Sequence, residues 1–338
     1  MKTIDLRSDT VTLPSSEMRK VMANATVGDD VFEEDPTIQQ LELKTAHLLE
    51  KEAALFTATG TQSNLIASIL WNPPGSEVIA DSRSHLFYFE AAGTSRFGGA
   101  QIRPISTENG ILSSNDIDTH FRTDNIHYPK TTSVFIENTH NIAGGKIYSL
   151  RTLNEINDTC RKLNIKIHMD GARLFNAVAK LKVKPSEIAK YADSVTFCLS
   201  KGLGCPVGSM LVGDKNFIKE ARRIRKALGG GMRQAGILAA AGIYALDNNI
   251  IKLNDDHNHA EILADHLIKL NQEVVFPETN IVIWKPTINA LKVTQDLKEK
   301  GILAIPVSSS LVRFVTHLDI TLADINFTAK ILEEYLGA

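Results

Sequence analysis

The sequence predicts an α/β protein, with a mainly parallel sheet covered by helices on both faces and a smaller α/β domain after it. Three observations carry that expectation. Short β-rich runs alternate with helix-length segments through most of the chain, which implies βαβ crossovers. The pattern changes after Asn248-Asn249, where a polar, His-bearing helix precedes three short strands and a last helix. The 338 residues, 43% hydrophobic and 22% charged, suit one large soluble domain or two modest ones.

In chain order, the β-rich runs predict strands over 53–57, 77–80, 101–105, 133–137, 166–169, 195–199 and 209–212, with helices between several of them over 61–71, 149–163 and 185–192. Asp35-Pro36-Thr37 places a capping residue just before a proline suited to the first turn, opening a helix over 37–51. Residues 235–246 are apolar on all sides, so that helix is expected under the sheet. A polar helix over 255–270 then leads to strands near 280–284, 303–307 and 311–315. Thr321-Leu322-Ala323-Asp324 reads as a capping box for the last helix. The expected division is a large domain over 1–250, with an N-terminal arm over 1–13, and a small domain over 251–338.

Composition excludes several function classes. Thirty-seven Lys+Arg against 39 Asp+Glu leave −2, so nothing in the overall charge calls for a nucleic-acid partner. The longest apolar run, from Ala235 to Leu246, stops at Asp247 and is too short to span a bilayer, so no membrane is expected. The charged N-terminus has no secretory apolar core. Cys160, Cys198 and Cys205 form no C-x-x-C pair and read as buried thiols of a reducing, cytoplasmic compartment. His257-x-His259 reads as a helix face. No set of His, Cys and carboxylates has convincing zinc spacing, so no metal is expected.

The central candidates are Asp170 and Lys201, each closing a hydrophobic strand-like run and lying roughly 30 residues apart, about one βαβ unit. Both side chains should emerge at the same edge of one sheet. A lysine ending a buried strand and followed by Gly202-Leu203-Gly204 can attack a carbonyl. An aspartate beside it can hold a pyridinium nitrogen protonated, as an electron-sink cofactor requires. Taken alone, the pair reads more simply as an ion pair at a sheet edge. Gly60-Thr61 joins a strand to a helix and would present free N–H groups where a phosphate binds; an ordinary capped turn is the plainer alternative. Gly229-Gly230-Gly231, between the basic run 222–226 and Arg233, lacks nucleotide P-loop spacing and fits a mobile basic loop that reaches a phosphate, in this subunit or a neighbouring one. His85 follows a strand and could stack on a flat cofactor and handle protons, while His127 lies in a loop. Arg173 and Arg313 are candidate forks for a substrate carboxylate.

These pieces together resemble a family. Leu6-Arg7-Ser8-Asp9-Thr10, Val27-Gly28-Asp29-Asp30-Val31, Ala58-Thr59-Gly60-Thr61-Gln62-Ser63-Asn64, Glu137-Asn138-Thr139-His140-Asn141, His168-Met169-Asp170-Gly171-Ala172-Arg173, Ser200-Lys201-Gly202-Leu203-Gly204, Leu228-Gly229-Gly230-Gly231-Met232-Arg233-Gln234 and Val315-Thr316-His317-Leu318-Asp319 resemble segments of the low-specificity L-threonine aldolases, in the family's order and over nearly the whole chain. Those are pyridoxal-phosphate enzymes with the three-layer α/β/α fold of aspartate aminotransferase, fold type I.

The resemblance implies aldol cleavage of a small β-hydroxy-α-amino acid, threonine or allo-threonine, to glycine and an aldehyde, with the cofactor held as a Schiff base on Lys201. It implies that Asp170 pairs with the pyridine nitrogen. Gly60, Thr61 and Ser200 would hold the phosphate, helped by basic residues of the Lys226–Arg233 loop, Lys226 and Arg233 among them, from another subunit. His85 would stack on the ring, and Ser8, Arg173 and Arg313 would bind the substrate carboxylate. His127 would approach the β-hydroxyl, with Glu90 positioning a water there. The base is open between His85 itself and a water ordered by His127 and Glu90. The resemblance also implies a homodimer or homotetramer with shared active sites. Two departures fall at the active-site entrance: Phe32 lacks the hydroxyl of a common tyrosine, and Glu33 stands where the family has glycine. Cys205 stands where alanine is usual. The alternatives are another lyase reaction of the same fold, β-elimination or serine hydroxymethyl cleavage, and a cofactor-binding protein without catalysis.

Overall fold

A computed structural model describes residues 3–337. β1 (Ile4–Asp5) lies in the N-terminal arm. β2 (Ala53–Thr57), β3 (Glu77–Asp81), β4 (Gln101–Ile105), β5 (Thr131–Glu137), β6 (Lys166–Asp170), β7 (Ser194–Cys198) and β8 (Ser209–Gly213) form one seven-stranded sheet in the order β2-β8-β7-β6-β5-β3-β4. β8 is antiparallel to both neighbours, and β3 through β7 are mutually parallel. All strands but β8 therefore point the same way, and Thr57, Asp81, Glu137, Asp170 and Cys198 end on one edge. β3, β7 and β8 are buried along their whole length, because helices cover both faces.

Several helices begin where a side-chain oxygen caps them. Asp35 accepts from the N–H groups of Thr37 (3.1 Å) and Ile38 (3.0 Å) at the start of Pro36–Leu48, and its other oxygen accepts from Gly236 N–H at 2.8 Å. The apolar helix Gly236–Asn248 packs on Pro36–Leu48 and on Ser16–Ala23. A Cβ on Gly242 would lie 2.9 Å from Leu41 and 3.1 Å from Leu199, so a small residue lets this helix approach closely. Helix Ser16–Ala23 escaped the sequence reading; its one buried residue, Met18, gives no periodic signal.

C-terminally, β9 (Glu273–Val275), β10 (Ile281–Lys285), β11 (Ile302–Leu303), β12 (Ile305–Ser308) and β13 (Leu311–Val315) follow, with β12-β13-β10-β9 forming an antiparallel sheet. The expected strand 303–307 is two strands because they pair differently: β12 with β13, and β11 in parallel with β1. Ile4 and Leu6 are buried in the C-terminal core with Trp284 and Phe314. The arm thus packs first on the C-terminal unit, then crosses to the large sheet, where Thr12 Oγ1 donates to Lys201 O at 2.9 Å. The final helix, Leu322–Leu336, opens on the Thr321/Asp324 capping box. Among the described residues no helix is long and apolar enough to cross a membrane.

Candidate active site

Asp170 ends β6 and is buried. Its Oδ1 accepts from Ala172 N–H at 3.0 Å, and its Oδ2 accepts from Asn64 Nδ2 at 2.7 Å. Burial alone would raise this carboxyl, but the charges of His85 and Lys201 and the Asn64 bond outweigh it and hold it below the usual range. The same Asn64 amide donates to Glu90 Oε1 at 2.8 Å. Glu90 Oε1 also meets His85 Nδ1 at 2.8 Å, and the backbone N–H of His85 donates to Glu137 Oε2 at 2.6 Å. Burial pushes Glu90 up, and Asp170 adds to this; burial would lower His85, but Glu90 and Asp170 hold it above its ordinary value. His85, Glu90 and Asp170 thus share one electrostatic cluster, with ligand atoms within 4.8 Å of one another.

Lys201 follows β7 on the turn Leu199–Gly204. Thr12 Oγ1 and Gly204 N–H both donate to its carbonyl, fixing the backbone. Its ammonium takes no acceptor among the described residues, yet its charge is felt by Asp170, Asp9 and His85.

Beside it lies a guanidinium pair. Arg173 grips Asp9 with both forks, Nε to Oδ2 at 2.7 Å and Nη2 to Oδ1 at 2.6 Å, and both side chains are almost wholly buried. Its Nη1 donates to Asn141 Oδ1 at 3.2 Å, and Arg313 Nη1 donates to the same oxygen at 3.1 Å. Arg313 Nη2 reaches Arg7 O at 3.2 Å, and its Nε is buried without a partner. Burial and the nearby Arg173 charge lower Arg313 to about 10.

At the end of β2, Thr59 caps helix Gly60–Trp71, its hydroxyl accepting from Gln62 N–H at 3.1 Å. The N–H groups of Gly60 and Thr61 take no acceptor among the described residues. A Cβ on Gly60 would come within 2.8 Å of Cys198 Sγ, so only glycine fits this close turn. Ser200 is half-buried beside Lys201. Much of the basic run is internally neutralised: Arg225 is buried against Asp30 at 2.6 Å, and Arg222 pairs with Glu42 at 2.6 Å. Arg233 is exposed and paired with Asp29 at 2.9 Å, whereas Lys226 is exposed with no ion pair among the described residues.

The chain itself therefore brings Lys201, Asp170, His85 and Glu90 together, with Arg173 and Arg313 nearby. Ser8 caps the short turn Asp9–Val11, its hydroxyl accepting from Thr10 N–H at 3.2 Å. His127 lies apart, exposed on a loop where its N–H donates to Asn125 Oδ1 at 2.9 Å. Glu90 does not meet His127; its carboxylate is bound to His85 and Asn64. Sequence reasoning also assigned no role to Asn64, His168, Asp9 or Asn141. The visible signals were a lone amide beside the apolar run Leu65-Ile66-Ala67 and a lone imidazole between Ile167 and Met169.

Residues 5–288 match the family model described as beta-eliminating lyase. The chain is 44% identical over 320 residues to the low-specificity L-threonine aldolase of Escherichia coli K12, covering 94% of this chain and 95% of that one. Its fold superposes on the threonine aldolase of Leishmania major with a TM-score of 0.86 at 21% identity, covering 98% of this chain and 99% of that one. It also superposes on the aspartate aminotransferase of Thermotoga maritima, with a TM-score of 0.77 at 15% identity, covering 100% and 92%.

Proposed function

The chain belongs to the beta-eliminating lyase family, among the low-specificity L-threonine aldolases, and from that membership we propose that it cleaves L-threonine and L-allo-threonine to glycine and acetaldehyde. It is a pyridoxal-phosphate-dependent lyase of fold type I. The residues present fit that cofactor: an unpartnered lysine, a buried ionised aspartate, and open N–H groups at a helix start lie at one sheet edge. When bound, the cofactor supplies an aldehyde carbon for an amine and a conjugated ring that accepts the electrons of the breaking bond.

The observation that carries the reading is Asp170 beside the unpartnered Lys201, with two guanidiniums around Asn141 next to them. Lys201 Nζ would hold the cofactor at its aldehyde carbon, and Asp170 would pair with its ring nitrogen. Gly60, Thr61 and Ser200 take the phosphate, joined by Lys226 and by Arg233, which must leave Asp29. Ser8, Arg173 and Arg313 grip the substrate carboxylate, and that grip aligns the Cα–Cβ bond. His85 covers the ring. Its Nδ1 is held by Glu90, so Nε2 takes the β-hydroxyl proton as Cα–Cβ opens and the aldehyde carbonyl closes. The same nitrogen returns a proton to Cα, giving glycine. His127 acts at the β-hydroxyl of a neighbouring copy's site, a role that suits its exposed loop, where Ile126 is also exposed. A homodimer or homotetramer with shared sites fits that exposure. Three free, buried thiols suit the cytoplasm.

The test is product analysis with added pyridoxal phosphate and a Lys201→Ala control. Lysine-dependent release of acetaldehyde and glycine is expected from both threonine epimers. Pyruvate and ammonia from an amino acid would instead support β-elimination, the second reading, which the family description favours.

A further inference from the structure

Behind Asp170, a chain of hydrogen bonds runs through the core from helix Gly60–Trp71 and back to it. Trp71 Nε1 lies 2.7 Å from Ser194 Oγ, and Ser194 Oγ lies 2.8 Å from His168 Nδ1. His168 Nε2 lies 3.1 Å from Asn64 Oδ1, and Asn64 Nδ2 reaches Asp170 Oδ2 at 2.7 Å and Glu90 Oε1 at 2.8 Å. Ser194 and His168 are fully buried, and Asn64 is 1% exposed.

Donor chemistry gives this chain one direction. An indole N–H can only donate, so Ser194 Oγ accepts from Trp71; its own buried hydrogen has no other acceptor among the described residues and goes to His168 Nδ1. The imidazole proton then sits on Nε2 and donates to Asn64 Oδ1, which leaves both amide hydrogens of Asn64 for the two carboxylates. Burial lowers His168 to about 4, so it stays neutral, as the chain requires. Strand register builds the device: His168 is two residues before Asp170 on the same face of β6, and it is paired directly with Ser194 of β7.

We propose that Trp71, Ser194 and His168 are positioning residues that lock the Asn64 amide, so that its N–H groups, never its oxygen, face Asp170 and Glu90. A flipped amide would set an oxygen against two carboxylates and undo the ionised state of Asp170. Asp170 would then compete for the proton of the ring nitrogen. The groups facing Asp170 are His85, Lys201 and His168, with Glu90 on the same Asn64 amide; His168 is the one bonded to the Asn64 oxygen. The inference rests on the cofactor reading above, but its first test does not.

The first readout is nitrogen-15 resonance of the histidine-labelled full chain, with and without added pyridoxal phosphate. His168 is expected neutral with its proton on Nε2 across the neutral pH range; a proton on Nδ1, or a charged ring, would overturn the relay. The second readout is the pH midpoint of the visible band of bound pyridoxal phosphate. Loss of ring-nitrogen charge should move that midpoint up by about half a unit or more in His168→Leu, with His168→Gln, which keeps a donor, close to wild type. A folded His168→Leu protein with an unmoved midpoint contradicts the proposal, and if that variant does not fold the resonance test still decides. A wild-type protein that binds no pyridoxal phosphate would sink the cofactor reading instead, leaving the proton position on His168 to be judged separately.

Discussion

Two ends of the site, built by the same arm and sheet edge, are finished to different degrees. Around Asp170 the carboxylates have donors, and the donors behind them are satisfied in turn through Asn64, His168, Ser194 and Trp71. Around Asn141, two guanidiniums meet at one oxygen; Asp9 pairs with Arg173, while Arg313 has no ion pair among the described residues and feels Asp9 only at a distance. A half-buried, half-bonded cation is costly unless an anion arrives. The closed end suits a resident group held in one geometry. The open end suits a carboxylate that comes and goes with each turnover.

Breaking the closed end should have the largest effect. Asp170→Ala is expected to lower turnover by about 10³-fold, the scale of a lost preorganised charge, while retaining cofactor weakly. Steady-state rates together with cofactor absorbance check this, and near-normal turnover would remove the electron-sink role. Next comes the finished half of the guanidinium pair. Asp9→Asn leaves Arg173 buried and unpaired, so it should destabilise the fold by about 3–5 kcal/mol in denaturant titration. Asp9 is held below its ordinary value because Arg173 outweighs burial. Its contribution is therefore full above the unfolded value of about 3.9 and fades as pH falls through the lower folded value. The variant should lack that acid limb.

Arg313→Leu tests the unfinished half. KM for threonine should rise by roughly tenfold to a hundredfold, the loss of a charged hydrogen bond, while Tm stays level or rises because an uncompensated charge is gone. A large loss of stability instead would show that Arg313 is structural. His85 is raised by Glu90 and Asp170, so turnover should climb with pH through a midpoint above the ordinary histidine value of about 6.5. A flat profile in that range would exclude His85 as the base. The smallest effect is at the entrance. Glu33 has a φ of 58°, a left-handed position, which explains glycine there in the resembled family. Glu33→Gly should stabilise by about 1 kcal/mol, read as a small rise in Tm.

The closed end was also only half legible in the sequence. Strand runs ending at Asp170 and before Lys201 were visible because a buried parallel sheet writes continuous apolar segments. The Gly60 turn showed as punctuation between strand and helix. Asn64 follows the Gly60 turn yet had no partner in sight, because Glu90 lies 26 residues away and His168 and Asp170 more than a hundred. Longer separations still, 164 and 172 residues, divide Asp9 from Arg173 and Asn141 from Arg313. Polar satisfaction in a core is a long-range property, while capping is local; Asp35 and Thr321 were legible for that reason. Arg233 shows the converse, since its basic context said nothing of Asp29, which holds it in this chain.

The most direct test is borohydride reduction of the holoenzyme, followed by peptide mapping. The pyridoxyl group is expected on the peptide carrying Lys201, with none in Lys201→Ala. A stable label on another lysine, or equal labelling of the variant, would contradict the assignment on which both ends of the site depend.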